Sequence, residues 1–109
     1  MKKVFISADI EGTCGIVDWQ ETEVGNAYSD YFRRQMTKEV AAACRGALAA
    51  GADEVLIKDA HDSARNIYPD MLPKQVKIIR SWSAISRYIQ FVAWKLYTCR
   101  CATQQTECF

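Results

Sequence analysis

No sign of charge dominates this chain: fourteen basic residues face thirteen acidic ones, for a formal charge of +1. That balance removes the electrostatic case for a nucleic-acid or anionic-membrane partner. Proline is scarce, at two residues, and glycine at five, which excludes collagen-like or Pro/Gly-rich disordered chains. No apolar run reaches the roughly 18 residues of a membrane span, since Arg87 and Lys95 interrupt the longest late apolar segment. The opening run Val4-Phe5-Ile6-Ser7-Ala8 meets Asp9 and Glu11 too early to be a signal-peptide core, so a cytoplasmic protein is expected. CxxC pairs are also missing. The five cysteines, at 14, 44, 99, 101 and 108, form an odd set that reads as free thiols in a reducing compartment.

What is present is an ordinary globular composition, half apolar and a quarter charged, in 109 residues. That length suits one domain and excludes a two-domain enzyme. Val4 to Ala8 predicts a buried strand closed by a turn-rich loop with Gly12 and Gly15. From Ser29 to Ala50, Phe32, Met36, Val40, Cys44 and Leu48 recur every fourth residue, which predicts a helix stopped by Gly51. Glu54 to Asp59 and Gln75 to Arg80 predict two more strands. A strand pair joined by a long helix is parallel. The expected class is therefore α/β, a βαβ-β parallel-sheet fragment of the three-layer type. Ile85, Tyr88, Ile89, Val92 and Leu96 keep helical spacing, so a divergent helix is expected there, followed by a loosely ordered tail.

Ligands of open α/β sheets sit beyond the carboxyl ends of the strands, which puts Asp9, Glu11, Asp59, His61 and Asp62 on one rim. Asp9 and Glu11 are two apart, so in extended backbone they share a side, and His61 adds an imidazole. Two oxygens and a nitrogen suit zinc, which lowers the pKa of a bound water toward roughly 7. Other readings stay open. Acidic residues at strand ends also serve as solvated loop residues or helix caps, and a single histidine is commonly just a hydrogen-bonded side chain. Gly12-Thr13-Cys14-Gly15 could cradle phosphate, although it matches neither common glycine-rich fingerprint and Glu11 beside it repels an anion. Cys14 could be a nucleophile or a small buried residue. Cys99, Cys101 and Cys108 make a poor zinc signature, and Trp82 and Trp94 read as local packing or a subunit contact.

Asp9-Ile10-Glu11-Gly12-Thr13-Cys14-Gly15 resembles the Asp-x-Glu-Gly-x-x-Gly opening of the DppA-type D-aminopeptidase family of zinc metallopeptidases. The similarity continues through Arg34, Met36-Thr37, Glu39, Gly51, Glu54-Val55-Leu56, Asp59-Ala60-His61 and Asn66. Several motifs in register make it specific over about residues 1–83, which would form the N-terminal part of the family's α/β domain. The resemblance implies a co-catalytic two-zinc aminopeptidase that releases N-terminal D-amino acids from short peptides and works as a ring-like homo-oligomer. By the family pattern Asp9 bridges the metals, Glu11 and His61 complete one ligand set, and Asp59 orients a ligand from behind. No general base is identified. The second metal's histidine and glutamate have no counterpart, because His61 is the sole histidine. From 84 to 109 the pattern lapses, as expected of a truncated or frameshifted product. Two further readings are a catalytically inactive binding or oligomerisation module that retains a partial metal site, and a phosphate or nucleotide binder.

Overall fold

A computed structural model describes residues 1–82 and the strand at 95–98. Strand β1 (Lys3–Ala8) leads through a loop containing a short 3-10 helix (Trp19–Thr22) to helix α1 (Ser29–Ala49). Strand β2 (Glu54–Asp59), a 3-10 turn at Pro69–Met71, strand β3 (Lys77–Ile79) and strand β4 (Lys95–Thr98) follow. The sheet order is β3-β2-β1-β4 with every neighbouring pair parallel. The expected α/β parallel arrangement is present.

Helix α1 forms because its apolar residues repeat at the helical period. Phe32, Met36, Val40 and Cys44 share one stripe and pack with Val4, Ile6 and Ala8 of β1 and with Val55 and Ile57 of β2. The opposite strand face is buried as well, through Phe5, Leu56 and Lys58. Burial on both faces explains why β1 and β2 read as continuous rather than alternating apolar runs. Each fully buried side chain of this kind contributes about 1.5–3 kcal/mol. The helix ends in a two-bond cap. Gly51, at φ 91°, donates its N–H to Leu48 O at 3.0 Å, and Ala52 donates to Ala47 O at 3.0 Å. This Schellman pattern needs a left-handed residue after the helix, which glycine adopts without penalty.

Two expectations change. The third strand is shorter than Gln75 to Arg80, because Val76 N–H is spent in a turn on Pro73 O at 3.2 Å. The helix expected from Ile85 to Leu96 lies outside the described residues except at its end. There Lys95 and Leu96 belong to β4, paired with Val4 and Phe5 of β1.

Candidate metal centre

The β1–β2 register sets the site. Ala8 pairs with Asp59, and the ladder runs one bond further, Ala60 N–H to Ala8 O at 2.8 Å. Asp9 therefore leaves the sheet level with Ala60, and His61 comes next. Glu11 reaches the same point by another route than the one expected. The backbone is not extended there: a turn closed by Thr13 N–H on Ile10 O, 2.9 Å, folds Glu11 toward His61.

The three side chains converge on one nitrogen. His61 Nδ1 is 3.1 Å from Asp9 Oδ1 and 3.0 Å from Glu11 Oε1. His61 Nε2 lies 2.7 Å from the Thr22 carbonyl. A carbonyl can only accept, so Nε2 carries the proton and Nδ1 is the atom presented to the carboxylates. An imidazole held in this way by a backbone carbonyl has the orientation a metal ligand needs. Thr22 had no signature in the sequence because it acts through its main chain.

The electrostatics follow from the crowding. His61 is pushed up to about 9, first by its bond to Asp9, against desolvation, with the Thr22 carbonyl and Glu11 adding to the rise. Partial burial pulls Asp9 upward, but its bonds to His61, Glu11 and the Ile10 N–H bring it down to about 2. Glu11 moves up, through desolvation and then its hydrogen bond with Asp9. Two carboxylates facing one imidazole thus divide into one ionised group and one that retains its proton readily.

Glu11 Oε2 is buried and has no hydrogen-bond partner among the described residues. The three candidate ligand atoms lie within 4.8 Å of one another. An orphaned carboxylate oxygen beside a second carboxylate and an oriented imidazole is relieved by a divalent cation, and the O, O, N donor set fits zinc. A cleft of about 700 Å³ opens over the trio, lined also by Trp19, Glu23, Val24, Asp62 and Arg65.

Asp59 stands behind this rim, fully buried. Its carboxylate accepts from Asn66 N at 2.7 Å, Asn66 Nδ2 at 2.9 Å and Ile67 N at 2.8 Å. Asn66 Nδ2 in turn donates to His61 O at 2.7 Å. Asp59 thus reaches the rim indirectly, through Asn66 and the backbone of His61. Arg33 holds the same loop from α1, donating to Asn66 O and Arg65 O. Asp62 lines the cleft without joining the trio.

Two amides of the Gly12 to Gly15 loop are committed, Thr13 N–H to Ile10 O and Cys14 N–H to Glu39 Oε1 at 3.1 Å, which leaves fewer donors for a phosphate. Gly15, at φ 96°, takes a left-handed backbone that favours glycine, and a Cβ there would sit tightly against Phe32 Cε1, at 3.3 Å. Cys14 is in a disulfide, which corrects the free-thiol reading and takes it out of consideration as a nucleophile. Cys44 is a free, buried thiol. Besides Thr22, Lys58 and the link from Trp82 to the His61 loop went unread in the sequence.

The comparisons agree with this fold. The family model described as D-aminopeptidase matches residues 1–94, past the lapse expected near Ser83. The fold is similar to the solved structure of the Zn-dependent D-aminopeptidase DppA from Bacillus subtilis, described as a self-compartmentalizing protease, with TM-score 0.71 and 28% identity. The match covers 73% of this chain and 29% of that one, so the chain spans under a third of that protein's length. No curated protein matches the chain.

Proposed function

The chain belongs to the D-aminopeptidase family, and from that premise we propose that it binds zinc through Asp9, Glu11 and His61 and serves in removing N-terminal D-amino acids from short peptides. The observation that carries the reading is the convergence of the two carboxylates on His61 Nδ1 while Thr22 fixes the other ring nitrogen. The family supplies the reaction class, and the zinc dependence of the solved relative supports the choice of metal.

When bound, zinc supplies Lewis acidity, polarising a carbonyl and making water acidic enough to act as a nucleophile near neutral pH. The chain's own part is positional. Asp9, ionised, and Glu11 offer the oxygens, and Thr22 O keeps Nε2 protonated so that Nδ1 stays available as a ligand. The proton on Nδ1 and the one Glu11 tends to retain must leave before those atoms bind a cation. Glu23 and Asp62 line the cleft and suit a peptide's terminal ammonium, while Trp19 offers an apolar wall. Asp59 acts as the supporting carboxylate, through Asn66.

His61 is the sole histidine, so a second metal in the family manner needs its nitrogen ligand from another chain or from sequence beyond this one. The self-compartmentalizing description of the relative supports a homo-oligomer here too. A second reading is a binding or oligomerisation module that keeps the partial metal rim without turnover.

The test is zinc per chain by elemental analysis, with hydrolysis of a D-alanyl peptide followed in parallel. Near-stoichiometric zinc that disappears in Asp9→Ala and His61→Ala is expected. Unchanged zinc affinity in His61→Ala sinks the site assignment. Zinc without turnover selects the second reading.

A further inference from the structure

The turn that carries His61 is strained and is braced from outside the cleft. Asp62 (φ 47°) and Ala64 (φ 56°) are non-glycine residues in left-handed backbone, and Ser81 (φ 65°), just past β3, is another. Such residues persist only where their surroundings over-determine them, and they concentrate at functional sites. The contacts that do so here form a connected set. Ala64 N–H closes the turn on His61 O at 2.7 Å, and Ser81 N–H donates to Ala64 O at 2.8 Å. Trp82 Nε1–H donates to Asp62 O at 2.6 Å. Beneath them, Lys58 Nζ donates to Asp59 O and Ser81 O, each at 2.7 Å, and sits 4.0 Å from the centre of the Trp82 ring.

Lys58 is fully buried and makes no ion pair among the described residues. A buried ammonium with no counter-ion is costly unless its donors are used, and here two carbonyls and an indole face use them. A side chain without N–H donors in that place would hold neither carbonyl. We propose that Lys58 and Trp82 are positioning residues for the metal centre, locking the 61–64 turn so that His61 Nδ1 stays aimed at Asp9 and Glu11. The inference rests on the metal-site reading above. It adds that the segment after β3 sets the geometry of a ligand it never touches.

The experiment measures zinc affinity of the full chain by competition with a chromophoric chelator, beside the melting temperature of the metal-free protein. Trp82→Phe keeps an aromatic ring near Lys58 and removes the indole N–H that holds Asp62 O. Expected is a loss of zinc affinity of about tenfold, in the range of other outer-shell changes, with little change in melting temperature. A purely structural role would do the opposite, lowering the melting temperature and leaving the affinity of the folded protein unchanged. Lys58→Met is expected to weaken zinc at least as much, and if it fails to fold, Trp82→Phe alone decides. Affinity within about twofold of the parent in Trp82→Phe overturns the inference while His61→Ala still abolishes binding. If His61→Ala also binds zinc normally, the metal-site reading has failed, and the brace falls with it for want of a ligand to position.

Discussion

Two groups of carboxylates stand at the carboxyl edge of the same two strands and are treated in opposite ways. Asp59, at the end of β2, is fully buried, and three N–H donors aim at its two oxygens. Asp9 and Glu11, beyond the end of β1, share one imidazole nitrogen and leave Glu11 Oε2 with no partner among the described residues. A carboxylate whose lone pairs are filled by its own chain holds structure together and has nothing left for a ligand. One that is under-filled costs the fold something and remains available to a cation. The residue types are alike, and only the supply of donors separates support from site.

Removing the filled carboxylate should therefore do the most damage. Asp59→Ala strips the partner from two main-chain N–H groups, of Asn66 and Ile67, inside a fully buried pocket. A loss of about 3–5 kcal/mol is expected, a large part of the 5–15 kcal/mol typical of a small domain. Urea unfolding of the metal-free chain reads this. A midpoint close to the parent would erase the distinction between the two regions.

The converse holds at the rim. Asp9→Ala or Glu11→Ala should leave the metal-free chain within about 1 kcal/mol of the parent, since contacts of partly exposed charges are weak. Zinc affinity should fall by about a hundredfold or more, because one of three donors is gone. Calorimetric zinc titration beside urea unfolding separates the two effects. If either variant unfolds as readily as Asp59→Ala, the rim is structural and the comparison fails.

Much of this was legible in the sequence where a side chain carries the information. The stripe of Phe32, Met36, Val40 and Cys44 marked α1, and the apolar runs marked β1 and β2. The types and positions of Asp9, Glu11 and His61 marked a rim of metal-capable donors. What could not be read is carried by main-chain atoms. Glu11 arrives by a turn between Thr13 N and Ile10 O, and His61 is oriented by the carbonyl of Thr22. Neither bond asks for a particular side chain, so neither leaves a trace. The bounds of β3 were set by the turn at Pro73, and helical spacing near Leu96 gave way to sheet pairing with β1. Lys58 did leave a signal, a cation inside a strand otherwise apolar from Val55 to Ile57. A charge there demands partners on a face that has no water, and those partners are the carbonyls of Asp59 and Ser81.

The smallest effect expected is a pH dependence confined to the under-filled trio. In the metal-free chain His61 is raised from 6.5 to about 9, chiefly by Asp9. The folded state therefore holds an extra proton between those values, so the stability this gives is complete below pH 6.5 and is lost as pH rises through 9. Asp9, lowered from 3.8 to about 2, contributes above pH 3.8 and loses that contribution as pH falls through 2. Glu11 works the other way. Desolvation and the neighbouring Asp9 raise it above 4.5, so ionising it costs the fold something as pH climbs past that value. Melting temperatures with a chelator should accordingly hold highest in mildly acidic buffer and decline toward pH 9. Zinc takes the place of the protons on His61 Nδ1 and Glu11, so saturating zinc should flatten the alkaline decline. His61→Ala should flatten it without zinc. An alkaline decline equally steep in His61→Ala would place its origin outside the trio and remove the claim that these carboxylates are held in waiting for a cation.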